Sequence, residues 1–88
     1  MKWILLVEDD LSLINGLSFA VKKQGYTLDV AHTKDEADRL WQNGAYDLVI
    51  LDVSLQDGSG FDICKRIRQT SQVPIMFLTP MDEVTDIF

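Results

Sequence analysis

The sequence predicts an α/β fold in which a parallel sheet is flanked by helices. Two short and almost wholly apolar segments, residues 3–7 and 47–51, are typical of strands that are buried on both faces. Segments with helical spacing of apolar residues separate the strands, and this alternation implies right-handed crossovers and a parallel sheet. A chain of 88 residues has room for one small core, so we assign residues 1–88 to a single domain.

The chain begins with a strand over residues 3–7, which ends at three consecutive acids. Helical spacing predicts a first helix over residues 10–24, and Gly25 is typical of the position that follows a helix. A short second strand is predicted over residues 26–30. The apolar face of the first helix has five residues: Leu13, Ile14, Leu17, Ala20 and Val21.

A capping box predicts where the second helix begins. Thr33 and Glu36 stand three residues apart, so the hydroxyl and the carboxylate can each accept a hydrogen bond from a free backbone amide. The helix is expected to end near Asn43, because Gly44 follows it. Its predicted buried face consists of Ala37, Leu40 and Trp41.

The third strand, over residues 47–51, carries Asp52 at its tip. Apolar spacing downstream indicates a third helix, whose apolar residues are Phe61, Ile63, Cys64 and Ile67. The remaining predicted elements are a turn at residues 56–60, the end of the third helix near Gln69, a fourth strand at residues 74–79 and the start of a fourth helix at residues 82–88.

Charge and cysteine content narrow the classes of partner. Eight Lys and Arg against fourteen Asp and Glu give a net charge of −6, which argues against direct nucleic-acid binding and against an anionic membrane surface. The single cysteine, Cys64, excludes an internal disulfide and a multi-thiolate metal site, and favours a reducing compartment. The apolar run at residues 3–7 is too short for a signal peptide or a membrane span, so we expect a cytoplasmic protein.

Polar side chains converge where the predicted strands end. Glu8 and Asp9 follow the first strand, Asp52 follows the third, and Thr79 ends the fourth; ligands of parallel sheets bind beyond these carboxyl ends. Clustered carboxylates repel one another, and a hard divalent cation relieves that repulsion. We therefore predict Mg²⁺ held directly by Asp9 and Asp52 and through water by Glu8. A carboxylate at such an ion can attack a phosphoryl group, with the Thr79 hydroxyl donating to a phosphoryl oxygen.

Several sequence blocks occur in the order and spacing of a known family: Ile4-Leu5-Leu6-Val7-Glu8-Asp9-Asp10, Asp47-Leu48-Val49-Ile50-Leu51-Asp52, Asp57-Gly58-Ser59-Gly60-Phe61 and Phe77-Leu78-Thr79. Over essentially its whole length the chain resembles the receiver domain of two-component response regulators. The resemblance implies a flavodoxin-like fold with strand order 2-1-3-4, in which the family's fifth strand is missing.

The resemblance also implies roles for individual residues. Asp52 is expected to accept a phosphoryl group from the phosphohistidine of a sensor histidine kinase, with Mg²⁺ required. Asp9 matches the direct metal ligand, Glu8 the water-mediated acid, and the backbone carbonyl of Ser54 the remaining protein ligand. Thr79 matches the hydroxyl residue that reorients on activation. The family acts as a switch rather than an enzyme, and its receivers are often joined to DNA-binding effectors, which implies transcription regulation.

Two features depart from the family pattern. No residue matches the lysine that ends the family's fifth strand, and Pro80 stands where a small residue donates its backbone amide to the phosphoryl group. Each such donor contributes on the order of a few kcal/mol to transition-state stabilisation. We therefore expect phosphorylation of this chain to be weak or absent.

The predicted fourth strand lies at an edge of the sheet and is apolar, so we expect a homo-oligomer, formed through this edge or by exchange of the terminal segment. Two other functions stay open. A phosphorylation-independent interaction module is favoured by Pro80 and by the missing lysine. An Mg²⁺-dependent phosphatase of the aspartyl-phosphate type would need a second acid two residues after its nucleophile, where Ser54 stands.

Overall fold

A computed structural model describes residues 2–78 of the chain. Within this range, no helix is long and apolar enough to cross a membrane. The elements, in chain order, are β1 (Trp3–Val7), α1 (Leu11–Lys23), β2 (Thr27–Ala31), α2 (Lys34–Asn43), β3 (Leu48–Asp52), β4 (Ser54–Leu55), β5 (Gly58–Ser59), α3 (Gly60–Arg68) and β6 (Ile75–Leu78).

Four strands form one parallel sheet in the order β2-β1-β3-β6. Since β6 is the predicted fourth strand, the expected order 2-1-3-4 is confirmed. The register pairs Val7 with Leu51, so β1 and β3 end side by side and the residues after them meet at one edge. Thr79, Pro80 and the fourth helix predicted at residues 82–88 lie outside the described residues.

Each face of the sheet has its own hydrophobic core, because alternate residues of a strand point to opposite faces. On one face, Leu5 and Leu51 pack with residues of α2 and α3 such as Ala37 and Ile63. On the other face, Leu6 and Ile50 belong to the cluster that includes Ile14 of α1. The two helices α2 and α3 therefore cover one face, and α1 covers the other.

The buried stripe of α1 is narrower than its sequence predicts. Ile14 is buried and Leu17 and Val21 are partly buried, but Leu13 and Ala20 are exposed. Each residue turns the helix by about 100°, so positions next to the stripe are carried away from the sheet. Leu13 and Ala20 lie in α1, as their helical spacing predicts, but outside its buried stripe for this reason.

The capping box at α2 is half formed. The Thr33 hydroxyl accepts a hydrogen bond from the Glu36 amide at 3.1 Å, as predicted. The Glu36 carboxylate accepts from the amide of His32 at 3.2 Å, one residue before the position that a capping box uses. The amides of Lys34 and Asp35 donate instead to Asp57, at the tip of the hairpin β4–β5. This hairpin spans residues 54–59 and so overlaps the turn predicted at residues 56–60.

Candidate functional site

Three acids predicted as site residues come together at the carboxyl edge of the sheet. Glu8, Asp9 and Asp52 each offer a carboxylate oxygen, and these oxygens all lie within 4.8 Å of one another. Glu8 and Asp9 follow β1, and Asp52 is the last residue of β3, so the pairing of these two strands positions all three. Residues that are 43 positions apart in sequence thereby form one cluster.

Glu8 is the buried member of the cluster, with 2% of its surface exposed. Its Oε2 accepts hydrogen bonds from the backbone amides of Asp9 at 2.8 Å and Asp10 at 3.2 Å. Burial raises the pKa of Glu8 to about 7, and the hydrogen bond and charge of Asp52 act in the same direction, while the two amides oppose it. Near neutral pH this carboxyl group is therefore present in both its protonated and its ionised form.

The other two acids are open to solvent to different degrees. Asp52 is partly buried and Asp9 is exposed, so exposure to solvent increases from Glu8 through Asp52 to Asp9. Asp10, the third acid of the run, has a structural role. Its Oδ1 accepts from the amides of Ser12 at 2.9 Å and Leu13 at 3.3 Å, and so caps α1.

The segment after Asp52 is held close to its backbone. The Val53 carbonyl accepts hydrogen bonds from the Gly60 amide at 2.8 Å and from the Ser59 hydroxyl at 3.3 Å. A Cβ at Gly60 would overlap the Asp52 carbonyl oxygen, so only glycine allows this approach. Ser54, whose carbonyl is the expected fourth ligand, is exposed at the first position of β4, two residues after Asp52.

The donor set fits a hard divalent cation. Three carboxylates supply oxygen ligands of the kind that Mg²⁺ and Ca²⁺ prefer. The raised pKa of Glu8 shows that its negative charge is unfavourable without a counter-ion. A bound cation would offset both the burial of this charge and its repulsion by Asp52.

Cationic side chains are positioned as the sequence predicts. All eight Lys and Arg residues lie between Lys2 and Arg68, and apart from Lys2 they belong to the three helices. Thr79, the fourth predicted site residue, lies outside the described residues.

Asp57 is a residue that sequence reasoning missed. Its carboxylate accepts hydrogen bonds from the backbone amides of Lys34 and Asp35 at the start of α2. The Asp-Gly pair at residues 57–58 predicts a turn, but no local pattern indicates that its partner lies 23 residues earlier.

Sequence comparison groups the chain with bacterial regulators. Residues 4–88 match the response regulator receiver domain. The chain is 43% identical over 84 residues to the transcriptional regulatory protein PmrA of Pectobacterium parmentieri, with 94% of this chain and 38% of PmrA covered. It is 34% identical over 87 residues to the transcriptional regulatory protein AfsQ1 of Streptomyces coelicolor, with 99% of this chain and 39% of AfsQ1 covered. The chain thus spans less than two fifths of the length of either relative.

Solved structures agree with this grouping. The non-phosphorylated HemR receiver domain from Leptospira biflexa superimposes with a TM-score of 0.85 at 36% identity, over 96% of this chain and 68% of that one. The response regulator TrrA of Thermotoga maritima, solved in complex with Mg²⁺-BeF, gives a TM-score of 0.78 at 32% identity, over 88% and 66%. TrrA in complex with the histidine kinase ThkA gives 0.85 at 33% identity, over 94% and 72%.

The agreement extends from sequence to topology. Apart from Trp3, the first residue of β1, the matched residues include every described strand and helix, and the sheet order is the one expected from the resemblance. Receiver domains are signalling switches with a phosphoacceptor role, and the acid cluster lies where the strands of this chain end. The chain belongs to the response regulator receiver domain family.

Proposed function

We propose that this chain is a phosphoacceptor switch of a two-component system, in which Asp52 receives a phosphoryl group with the help of Mg²⁺. The observation that carries the proposal is the convergence of Glu8, Asp9 and Asp52 within 4.8 Å at the ends of two adjacent strands in a chain of the receiver family. Of these three acids, Asp52 combines partial exposure with a position at the tip of a central strand, which suits a nucleophile.

The residues divide the chemistry between them. Asp9, Asp52 and the carbonyl of Ser54 would hold Mg²⁺ directly, with Glu8 acting through water; the ion supplies charge neutralisation at the phosphoryl oxygens. A carboxylate oxygen of Asp52 attacks the phosphorus atom as the N–P bond of the phosphohistidine breaks. The imidazole ring keeps the electron pair of that bond, and Thr79 would donate its hydroxyl to a phosphoryl oxygen.

A sensor histidine kinase is the proposed phosphodonor. The complex of ThkA with TrrA supports this choice, because TrrA shares the fold of this chain. The regulators PmrA and AfsQ1 support a role in transcription regulation, exerted by parts of a protein other than this acidic domain. A kinase partner and the free thiol of Cys64 both favour a cytoplasmic location.

We further propose that phosphorylation of the 88-residue chain is slow. Pro80 has no amide hydrogen to donate. The loss of one such donor typically lowers a rate by about 10²- to 10³-fold.

Intact mass measurement after incubation with Mg²⁺ and acetyl phosphate tests the proposal. We expect a single phosphoryl adduct that forms slowly in the wild type, forms more slowly in Asp9→Asn and is absent from Asp52→Asn. Circular dichroism of each variant controls for folding. A folded wild type that forms no adduct, even with a purified histidine kinase as donor, would leave the phosphorylation-independent interaction module as the better reading.

Self-association is the second proposed property. In the described part of the chain β6 is an edge strand, and its residues Met76 and Leu78 are only partly buried. We expect light scattering to show a concentration-dependent dimer, and Met76→Lys to shift it toward monomer because charged edges resist pairing. Gln72→Lys adds the same charge outside the strand and should leave the dimer unchanged. A monomer at all concentrations would contradict the proposal.

A further inference from the structure

Asp57, at the tip of the hairpin β4–β5, contacts the start of α2. Its Oδ1 accepts a hydrogen bond from the Lys34 amide at 2.7 Å, and its Oδ2 accepts one from the Asp35 amide at 3.1 Å. The next amide, that of Glu36, is taken by Thr33. The N-terminus of α2 is therefore capped from two places, one local and one on the segment that follows Asp52.

The opposite end of the hairpin adjoins the acid cluster. Ser54 pairs with Ser59 and Leu55 with Gly58, so the hairpin is only two residue pairs long. Ser54, with its expected ligand carbonyl, stands two residues after Asp52 at the base of this hairpin. Because the hairpin is so short, a displacement of its tip at Asp57 would also move Ser54.

Two further contacts hold the hairpin in place. Leu55 is buried in the core under α2 and α3. The side chain of Lys34 lies against Gly58, where an added Cβ would approach Lys34 Cδ to 2.8 Å. The Asp57 carboxylate adds polar contacts to these two apolar contacts between the hairpin and the rest of the domain. The hydrogen bonds from the α2 amides favour the charged form of Asp57 and so lower its pKa. Asp57 is thus ionised at neutral pH and able to accept both bonds.

We propose that Asp57 is a positioning residue of the metal site: it anchors the hairpin to α2, and thereby holds the Ser54 carbonyl beside Asp52 and couples ion binding to the N-terminus of α2. The inference rests on the proposed function, since it requires a cation at the acid cluster. Residues that orient metal ligands typically change metal affinity by about 10- to 100-fold when they are replaced. Because coupling is reciprocal, the ion should in turn strengthen the cap on α2.

Three alanine variants separate this role from simple helix capping. Asp57→Ala removes the anchor, and Thr33→Ala removes the local half of the same cap while leaving the hairpin bonds intact. Asp62→Ala removes an equal charge from a nearby exposed acid, which lies 3.9 Å from Lys34 Nζ. Asp57→Asn keeps one acceptor oxygen and serves as a milder variant.

Mg²⁺ titration followed by amide NMR, together with hydrogen exchange, gives the readouts. We expect Asp57→Ala to weaken Mg²⁺ binding about tenfold, Asp57→Asn to weaken it less, and the two controls to stay within about twofold of the wild type. In metal-free protein, the amides of Ser59 and Gly60 should exchange faster in Asp57→Ala only. Mg²⁺ should slow exchange at the Lys34 and Asp35 amides of the wild type and have no such effect in Asp57→Ala.

The outcomes distinguish this inference from the proposed function. Unchanged Mg²⁺ affinity in Asp57→Ala, or an equal loss in Thr33→Ala, would overturn the positioning role while leaving the metal site intact. A wild-type Mg²⁺ response that survives Asp9→Asn would instead contradict the metal site, and with it the coupling to α2. Hydrogen exchange of the hairpin amides in metal-free Asp57→Ala then tests separately whether Asp57 anchors the hairpin to α2. Exchange rates equal to those of the wild type would exclude this anchoring.

Discussion

Carboxylate oxygens of Glu8 and Asp52 lie within 4.8 Å of each other across the ends of two adjacent parallel strands. Glu8 is buried and Asp52 is partly open to solvent, so the pair extends from the hydrophobic core to the carboxyl edge of the sheet. Two ionised carboxylates this close to each other are unfavourable, and either protonation of one or a bound cation relieves the repulsion. The protonation state of Glu8 therefore links the stability of the folded domain to pH.

The first prediction concerns stability in the absence of metal. The pKa of Glu8 is raised from 4.5 to about 7 by folding, so the folded state holds its proton over a range where the unfolded state has released it. The free energy of unfolding should accordingly fall as the pH rises from about 4.5 to about 7, and the contribution of Glu8 should level off above that range. Urea denaturation at several pH values in the presence of EDTA measures this slope.

Glu8→Gln provides the control for that slope, because glutamine preserves the shape and hydrogen-bonding capacity but does not titrate. The difference in unfolding free energy between variant and wild type should grow with pH up to about 7 in favour of the variant. A constant difference from pH 5 to pH 8 would show that Glu8 does not titrate in this range.

The second prediction is that Mg²⁺ reverses the destabilisation. A ligand that binds only the folded state stabilises it by about 2.7 kcal/mol when its concentration is 100 times the Kd. Mg²⁺ should therefore raise the melting temperature at pH 8, and raise it less at pH 6, where protons compete for Glu8. Differential scanning calorimetry measures both shifts.

Replacing a ligand tests whether this stabilisation arises at the acid cluster. Asp9→Asn removes the most exposed carboxylate of the three with little effect on the core. Its melting temperature should respond weakly to Mg²⁺ at both pH values. Asp38→Asn, which replaces an acid paired with Arg66 on the surface between α2 and α3, should respond like the wild type. Equal responses in the two variants would assign the effect to nonspecific ion binding.

The elements and the acid cluster were accessible from the sequence because they depend on short-range patterns. Apolar runs mark β1 and β3, and once two parallel strands are neighbours their carboxyl ends must meet, which brings Asp9 and Asp52 together. The attachment of Asp57 to α2 follows from the path of a hairpin, and no residue near Asp57 reports it. The exposure of Leu13 likewise depends on how α1 is rotated on the sheet, which its own spacing only approximates.

The third prediction compares two glycines. At Gly60 a Cβ would overlap the Asp52 carbonyl oxygen, whereas at Gly16, in the middle of α1, nothing lies within 4 Å of an added Cβ. Gly60→Ala should therefore destabilise the domain by about 1–3 kcal/mol through forced backbone shifts. Gly16→Ala should stabilise it by about 0.5–1 kcal/mol, because alanine is the better helix former.

Urea denaturation of both alanine variants measures the contrast, and the acetyl phosphate reaction adds a second readout. Gly60→Ala should also slow adduct formation at Asp52, since the displaced carbonyl belongs to the phosphoacceptor itself. Gly16→Ala should react at the wild-type rate. A Gly60→Ala variant with wild-type stability would mean that the close approach to Asp52 is not needed for folding.

The fourth prediction concerns the opposite end of the sheet, where one carboxylate joins three segments. Asp29 on β2 accepts a hydrogen bond from the Tyr46 hydroxyl at 2.7 Å and another from Trp3 Nε1 at 2.9 Å. Burial and the neighbouring Asp29 raise the pKa of Tyr46 well above its usual value of 10. The unfolded chain would thus release the Tyr46 proton at a lower pH than the folded chain does. The free energy of unfolding should therefore fall as the pH rises above about 10.

Tyr46→Phe removes the hydroxyl and keeps the ring, which packs between Trp3 and Trp41. Its loss should lower the free energy of unfolding by about 1.5–3 kcal/mol at pH 7, the range typical of hydrogen bonds to charged groups. Tyr26→Phe is the matched control, since Tyr26 is 41% exposed, and it should change stability by less than about 0.5 kcal/mol. If Tyr46→Phe is as stable as Tyr26→Phe, the Asp29 contact adds nothing beyond the packing of the Tyr46 ring. The loss of stability at alkaline pH should then be the same in these two variants.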